Sequence, residues 1–405
     1  MKHKIIIFMM VFFTLISLFS QEYEIQRNQA KLRKGPGSFY PIVGVLEKGT
    51  KVEVIPAVKG WMSLEFQKET AFLSEKALKD KSSERSVFDK MAEQKTKIRI
   101  SKMGITAGVK GFAGNFNEQI KGDPDALIFI FNYKINPQDY KKFRKHTYKK
   151  IKLKKLRKIN PLPIETKDGY YSFSEEGLGL AIASKISKIG LIKNESKLEY
   201  LNYIGNLLVE ASEVYDTGFK FFILDHNSIN AYSCPGGIVF ITSGLLQQLQ
   251  SEAELAFILS HEIAHVARKH GMQEAESRKE HILADDLFME LDDELEQIGE
   301  NEISETELEL EELTVNIYET IFQGRLKDFE DEADELALLY MIRAGYDQKA
   351  AISILKRLSV SKMSSDNEHY THEQITERLK HLKSKINQSK KLRLLINKRR
   401  FQENF

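Results

Sequence analysis

His261 and His265 lie four residues apart, and Glu262 directly follows the first of them, which gives the pattern H-E-x-x-H. On an α-helix, residues i and i+4 share a face, so both imidazoles can reach one metal ion. Glu262 is turned about 100° around the helix axis, which places its carboxylate beside the ion, where it can hold a water molecule. The spacing predicts a zinc site with Glu262 as general base. The alternative is an exposed helix with two incidental histidines.

The residues on either side of this motif predict the helix on which it depends. Ser251, followed at the third position by Glu254, matches a capping box, which starts helices. Gly271 is of the type that commonly ends them. Between these positions apolar residues recur at helical spacing, namely Leu255, Ile258, Leu259, Ile263 and Val266. Ionisable groups beside such a buried stripe need a partner, and a divalent cation is one.

A catalytic zinc site takes three protein ligands and keeps one position open for water, so a third ligand must come from elsewhere in the chain. The acidic segment 329–334 offers candidates. Glu330 and Asp334 share a face of a predicted helix, so Glu330 could bind the metal while Asp334 accepts an N–H from a ligating histidine. From the residues alone, Asp331 and Glu332 compete with Glu330 for this role. The cluster could equally be a solvated helix face.

Four segments, in order, resemble the zinc metallopeptidase family that includes the CAAX prenyl endopeptidases, HtpX and the periplasmic BepA-like proteases. The similarity extends over 173–382, and its segments are 230–246, 260–266 with His270, 330–334, and Thr371-His372 leading to 377–379. The resemblance implies a zincin-type fold, one Zn²⁺ per chain and a polypeptide substrate. It assigns the third metal ligand to Glu330 and the orienting, catalytic carboxylate to Asp334. The chain is most similar to the soluble BepA-like branch.

Three further residues are interpreted through the same resemblance. His372 is a candidate fourth ligand that regulates the open position, although Glu373 stands where the family often has proline. A surface loop histidine is the alternative. Arg378 is predicted to pair with a carboxylate near the site or to stabilise the tetrahedral oxyanion. Cys234, where the family usually has another residue, is predicted to be a small buried residue at a turn.

A β-rich run follows this turn. In zinc peptidases of this general kind, an edge strand above the metal receives the substrate backbone as an added strand. That role is predicted for Gly237, Ile238, Val239, Phe240, Ile241 and Thr242.

The segment 21–80 has turn signals between short β-rich runs, which predicts a small β-barrel. It resembles bacterial SH3 domains in the strings 30–37 and 46–54, in Tyr40-Pro41 and in Gly60-Trp61. The resemblance implies binding of peptidoglycan or of an envelope protein. A spacer domain without a ligand of its own is the alternative.

Residues 1–20 are predicted to be a signal peptide. Lys2 and Lys4 precede an apolar run, 5–19, that is too short for a typical membrane span of about 20 residues. The prediction is an exported protein, periplasmic or secreted. The alternative is an uncleaved anchor in the inner membrane. The single cysteine excludes an intramolecular disulfide.

The predicted fold class is α+β, with a mainly helical zinc metallopeptidase domain at 169–385 that has a small β-sheet and follows the all-β SH3-like barrel. Between them, 81–168 is predicted as a linker or middle region with a basic segment. An acidic insert at 271–325 and a basic C-terminal tail at 386–405 complete the division. The basic segments could contact a membrane surface, or they could be solvated and pair with acidic surface elsewhere.

The formal net charge of +2 argues against nucleic acid as a partner. The function predicted is zinc-dependent hydrolysis of peptide bonds in exported or envelope proteins, in the context of protein quality control. One alternative is a cell-wall peptide hydrolase docked on peptidoglycan. Another is an envelope chaperone or binding protein with a vestigial protease site, although an intact motif argues against it.

Overall fold

The computed structural model describes residues 21–27, 29–79, 122–162, 173–278, 317–319, 321, 327–360, 372–386 and 393–405. The predicted signal peptide and most of the predicted acidic insert lie outside these ranges. The chain divides into two compact units, 1–101 and 102–405. Within the described ranges, no helix combines the length and the apolar character that crossing a bilayer requires.

The first unit is an antiparallel sheet of six strands in the order β1-β4-β5-β6-β2-β3. Its elements are β1 (Gln21–Glu24), β2 (Ala30–Arg33), β3 (Ile42–Leu46), β4 (Lys51–Val58), β5 (Trp61–Phe66), β6 (Glu69–Ser74) and a short helix, α1 (Lys76–Lys79). In β4, Val52 and Val54 are buried while Glu53 between them is exposed, which is the alternation of a strand with one face on a core. The predicted small all-β domain is confirmed.

The second unit is mainly helical and contains one small sheet. Before the sheet lie α2 (Pro124–Asn132), α3 (Pro137–Thr147), α4 (Leu153–Ile159), α5 (Phe173–Ile186) and α6 (Glu195–Val209). The strands are β7 (Lys220–Leu224), β8 (Ala231–Cys234) and β9 (Ile238–Thr242). After them lie α7 (Ser243–Gln248), α8 (Glu252–Ala267), α9 (His270–Arg278), α10 (Lys327–Arg343), α11 (Lys349–Val360), α12 (His372–Lys385) and α13 (Lys398–Asn404). The predicted fold class is therefore confirmed.

Strand β9 is the centre of the three-stranded sheet, whose order is β7-β9-β8. It pairs in parallel with β7 and antiparallel with β8, and all five of its residues are buried. The prediction that Gly237, Ile238, Val239, Phe240, Ile241 and Thr242 receive a substrate strand is wrong, because both edges of β9 are occupied and Gly237 belongs to the preceding 3₁₀ turn. Among the described residues, β8 is an edge strand of this sheet, paired with β9 on one side only.

Helix α8 crosses the core, and every residue in it except Ile258 is buried. Its N-cap is Ser251, whose side chain accepts a hydrogen bond from the backbone N–H of Glu254 at 3.2 Å, as predicted. The Glu254 carboxylate accepts from the backbone N–H of Gln250 at 2.6 Å, one residue outside the usual capping box. The predicted end at Gly271 is wrong. The helix ends at Ala267, a left-handed turn follows, and Gly271 lies inside α9.

Residues 122–162, predicted as part of a linker or middle region, form three helices that belong to the second unit and pack on its other elements. Lys220 donates hydrogen bonds at 2.8 and 2.7 Å to the last carbonyls of α2. Arg144 on α3 contacts Glu210 at 2.8 Å, and Tyr140 donates to the same carboxylate at 2.6 Å. One interpretation of the basic segment was that it pairs with acidic residues elsewhere in the chain. The contact between Arg144 and Glu210 agrees with this interpretation in part.

Residues 393–405, predicted as part of a basic tail, are bound to the N-terminal turn of α8. The backbone N–H of Ala253 donates to the Ile396 carbonyl at 3.2 Å. The side chains of Asn397 and Arg400 both donate to the fully buried carboxylate of Glu252. Phe401 is also buried. The boundary predicted at 385 therefore does not separate this segment from the domain.

Candidate metal centre

Three predicted ligands, on two helices that are distant in sequence, meet at one point. The Nε2 atoms of His261 and His265 on α8 are 3.0 Å apart. Glu330 on α10 places one carboxylate oxygen 3.3 Å from the Nε2 of His261 and the other 3.3 Å from that of His265. All three side chains are buried, and their ligand atoms lie within 4.8 Å of one another.

The spacing of these atoms fits a zinc ion. Zinc binds histidine nitrogen at about 2.0–2.1 Å in a tetrahedral arrangement, so two of its ligand atoms lie about 3.4 Å apart. The distances of 3.0, 3.3 and 3.3 Å are close to this value. Two histidines and one glutamate are also the donor set of several catalytic zinc sites, which keep a further position open.

Asp334, the predicted orienting carboxylate, lies beside the first histidine. It lies one turn after Glu330 on α10, is fully buried, and contacts Nδ1 of His261 at 2.9 Å. A carboxylate at this position accepts the Nδ1–H, so the Nε2 lone pair points to the metal position. Arg378 on α12 donates to both oxygens of Asp334 and also lies 3.2 Å from Glu330. Of its two predicted roles, the structure shows the pairing with carboxylates near the site.

A second chain of contacts orients the other histidine. Nδ1 of His265 lies 2.9 Å from Nδ1 of His270, and Nε2 of His270 lies 3.2 Å from a carboxylate oxygen of Glu332. If Glu332 accepts the Nε2–H of His270, then Nδ1 of His270 accepts from His265, and the Nε2 of His265 keeps its lone pair for a cation. His270 is fully buried and stacks on Phe329 at 4.5 Å. Each predicted histidine ligand therefore has a polar side chain next to its Nδ1 atom, Asp334 beside His261 and His270 beside His265.

The charges of the site compensate one another. Burial lowers the pKa of His261, but attraction to Glu330 and hydrogen bonds to Asp334 and Glu330 outweigh it and raise that pKa to about 9. Burial raises the pKa of Glu330, whereas His261 and Arg378 more than offset this and hold the pKa of Glu330 well below its usual range. Burial also raises the pKa of Asp334, but attraction and hydrogen bonding to Arg378 and His261 outweigh this effect and lower that pKa. Both carboxylates are thus anionic, as metal binding requires.

Glu262, His261 and Arg378 line one open cleft. The chain just before and at the start of β8, residues 229–231, lines the same cleft. The predicted general base thus lies next to both the metal position and an edge strand. That edge strand is β8, whose first residue, Ala231, lines the cleft.

Of two other predicted residues, His372 is only partly placed, whereas Cys234 is buried at a turn as predicted. His372 is the first residue of α12, but its side chain lies outside the described part of the structure, so its role as a fourth ligand stays a prediction. Cys234 ends β8 directly before the turn at Pro235–Gly237 and is fully buried. The contributions of His270 and Glu332 were not predicted. The proximity of Glu332 to Glu330 and that of His270 to His265 in sequence were the signals available.

Comparisons with known proteins agree with this site. Residues 195–386 match the sequence pattern of peptidase family M48, and residues 28–79 match that of the bacterial SH3 domain. A putative beta-barrel assembly-enhancing protease of Vibrio cholerae is 31% identical over 170 residues, which cover 40% of this chain and 32% of that protein. The beta-barrel assembly-enhancing protease of Yersinia pestis is 28% identical over 176 residues, covering 42% of this chain and 34% of that one.

A more distant relative is the mitochondrial metalloendopeptidase OMA1 of Arabidopsis thaliana, 25% identical over 150 residues, which cover 36% of this chain and 27% of that protein. The chain spans about a third of the length of the bacterial relatives. The matched M48 region contains the predicted ligands His261, His265 and Glu330 as well as Glu262, and the SH3 region coincides with the six-stranded unit. Residues 195–386 are therefore similar to peptidase family M48, and residues 28–79 are similar to the bacterial SH3 domain.

Proposed function

We propose that this chain is a zinc-dependent endopeptidase that hydrolyses polypeptides outside the cytoplasm. The observation that carries the proposal is the meeting of three buried ligand atoms, all within 4.8 Å of one another, beside Glu262 in an open cleft. The match to peptidase family M48 and the similarity to a protease and a metalloendopeptidase support the reaction class. Closed sets of four protein ligands are typical of structural zinc, whereas a set of three favours catalysis.

Bound by His261, His265 and Glu330, a zinc ion would supply a Lewis acid that polarises the scissile carbonyl and makes water acidic, with a pKa of about 7. Glu262 holds the attacking water, accepts its proton and delivers that proton to the leaving amine. Asp334 and His270 keep the two histidines in the tautomer that the metal needs. Arg378 holds Asp334 in place. The substrate backbone lies along β8 as an added strand.

The biological setting is inferred from the relatives and from the N-terminal sequence. The relatives named beta-barrel assembly-enhancing protease favour substrates among envelope proteins, in protein quality control. The predicted signal peptide favours an exported, periplasmic or secreted enzyme. We assign to the SH3 domain the binding of an envelope protein or of peptidoglycan.

The reaction is tested with purified full-length protein, by zinc analysis and casein digestion with and without a chelator. The wild type is expected to hold one zinc ion per chain and to lose activity with the chelator. Glu262→Gln is expected to keep the zinc and lose activity by a factor of about 10²–10⁴ or more. His261→Ala is expected to lose both. Glu335→Gln, an exposed carboxylate on α10, is the control and should resemble the wild type. Undiminished casein cleavage by Glu262→Gln would refute the mechanism.

A peptide hydrolase of the cell wall is the second candidate, and the SH3 domain is the observation that favours it. Incubating the same preparation with insoluble peptidoglycan separates the two. Release of wall peptides without casein cleavage would favour the cell-wall enzyme. Casein cleavage without release favours the protein endopeptidase.

A further inference from the structure

Two segments of the second unit are strongly basic. Residues 137–159, which include α3 and α4, contain eleven lysines and arginines and one acidic residue, Asp139. Residues 393–400 contain four lysines and arginines and no acidic residue. Against the net charge of +2 of the whole chain, both segments are local concentrations of positive charge.

The fold places these two segments side by side, although more than 200 residues separate them in the sequence. The guanidinium of Arg400 donates a hydrogen bond at 2.9 Å to the side chain of Thr147, the last residue of α3. A Cβ at Gly345 would stand 3.9 Å from Leu156 on α4 and 3.8 Å from Leu395, so the second segment also lies close to α4. The exposed residues of the two segments therefore form one basic surface.

Most of the positive charge on this basic surface is not compensated by the protein. Arg144 pairs with Glu210 and Lys142 pairs with Asp139. Six lysines of α4 and of the turn before it are exposed and form no ion pair within the described part of the chain: Lys149, Lys150, Lys152, Lys154, Lys155 and Lys158. Because neighbouring like charges repel one another, an anionic partner lowers the electrostatic free energy of this cluster.

The residue types favour a phospholipid bilayer as that partner. The two arginines of the first segment, Arg144 and Arg157, are half-buried and bonded within the protein, so lysines carry the exposed charge. Lysine is a flexible point charge, which suits diffuse attraction to many headgroups better than bidentate recognition of one phosphate. Ile159 and Ile396 are exposed by 49% and 44%, and such side chains gain free energy at the boundary of the acyl layer.

The aromatic residues of α3 argue against single-stranded nucleic acid. Such ligands are bound by exposed aromatic rings that stack on the bases, combined with cations that follow the backbone. Here the rings of Phe143 and Tyr148 are half-buried, and Arg400 and Arg144 lie over them at 4.7 and 5.6 Å. These rings are therefore engaged within the protein.

We propose that the basic surface binds the anionic headgroups of a phospholipid bilayer and holds the second unit against a membrane. The proposal goes beyond the peptidase function and does not depend on it. None of the described residues that line the cleft beside Glu262 belongs to the two basic segments, so membrane binding does not occupy the cleft. Each lysine close to an anionic bilayer is expected to tighten binding by about fivefold.

The first test is co-sedimentation of the full-length protein with vesicles of phosphatidylcholine, alone or mixed with phosphatidylglycerol. Binding to the anionic vesicles is expected to be at least about 100-fold tighter. Raising the salt from about 0.1 to about 1 M should remove this difference, because the Debye length falls from about 10 to about 3 Å. The neutral vesicles also measure any binding through the apolar residues 5–19, which charge does not affect. Equal binding to the two kinds of vesicle overturns the proposal.

A pair of variants with the same net charge locates the binding surface. The test variant carries four substitutions in the basic surface: Lys149→Gln, Lys150→Gln, Lys154→Gln and Lys155→Gln. The control removes four exposed lysines from other elements of the second unit: Lys188→Gln, Lys356→Gln, Lys380→Gln and Lys383→Gln. The test variant is expected to bind anionic vesicles at least about 100-fold more weakly, while the control binds like the wild type. Equal losses in both variants would show that net charge, and not this surface, causes the binding, and would refute the proposal.

Two further measurements complete the test. Helical circular dichroism and casein cleavage should be unchanged in both variants, because the substituted side chains are exposed and lie outside the cleft. A single-stranded oligonucleotide, at the same concentration of phosphate as the anionic vesicles, serves as the competitor. It is expected to leave the protein on the vesicles. Displacement of the wild type by the oligonucleotide would identify nucleic acid as the preferred partner and overturn the proposal.

Discussion

Arg378 holds both carboxylate oxygens of Asp334, at 2.9 and 2.8 Å. The pair joins α12 to α10, and Asp334 in turn contacts His261 on α8. Three helices far apart in sequence are thus fixed at one buried carboxylate. Because the Asp334 side chain is fully buried, its charge depends on this partner.

Arg378→Met is expected to destabilise the metal-free protein by about 3–5 kcal/mol, since it leaves Asp334 and Glu330 as buried anions without their cation. The measurement is urea unfolding in the presence of a chelator. Lys327→Met is the control, because it removes an exposed ion pair, to Glu377, between the same two helices. That variant should unfold at nearly the wild-type urea concentration. Equal losses in the two variants would contradict the buried role of Arg378.

His270→Leu is expected to weaken zinc binding by about 10- to 100-fold, because the Nδ1–H of His265 loses its acceptor. The measurement is competition with a chelator of known affinity at constant pH. His381→Leu removes a histidine that also contacts a glutamate, at 2.9 Å, but on the outer side of α12. Zinc affinity should be unchanged in this control. A wild-type affinity in His270→Leu would show that His265 needs no partner.

Glu252→Gln is expected to destabilise the fold by about 3–5 kcal/mol, because Arg400 loses its buried counter-charge. Tyr200 and Tyr346 also donate to this carboxylate, at 2.7 and 2.8 Å. The measurement is the free energy of unfolding in urea. Glu403→Gln, which removes an exposed partner of Arg399, is the control and should have little effect.

The double variant Glu252→Met with Arg400→Met separates the ion pair from the rest of the network. If the two charges are coupled, the double variant loses less stability than the summed losses of the single variants Glu252→Met and Arg400→Met. Strict additivity would show that each charge acts independently of the other.

Gly179→Ala and Gly177→Ala are expected to change stability in opposite directions, although both lie on α5. A Cβ at Gly179 would stand 1.8 Å from the carbonyl oxygen of Pro235, so the turn before β9 must move, at about 1–3 kcal/mol. A Cβ at Gly177 meets nothing within 4 Å, and alanine there should stabilise the helix by about 0.5–1 kcal/mol. Thermal unfolding of both variants measures the difference. Two changes of the same sign would contradict the close approach at Gly179.

The sequence predicted local parts of the site well because their signals are local. The spacing of His261 and His265 depends only on the period of one helix, and Ser251 caps that same helix. Glu330 lies on another helix, so its choice over Asp331 and Glu332 needed the family resemblance. His270 is close to His265 in sequence, but that closeness alone does not reveal the left-handed turn at Lys269 that brings the two rings together.

The error about the substrate strand has a physical cause. A continuous apolar run such as that of β9 is typical of a strand buried on both sides, at the centre of a sheet. The run that is less apolar, β8, is the edge strand. Pairing decides which strand is available, and pairing is a long-range property. For the same reason the basic composition of 386–405 did not reveal that Arg400 meets a buried glutamate.

The contact between Arg400 and Glu252 also bears on the order in which the molecule is completed. Arg400 leaves the ribosome 148 residues after Glu252. During that interval the Glu252 carboxylate, at the first turn of α8, lacks the counter-charge that would offset its loss of hydration on burial. It must therefore remain hydrated, and the turn must remain unpacked. The helix that carries both predicted metal-binding histidines therefore reaches its final packed position only after a much later part of the chain has been synthesised.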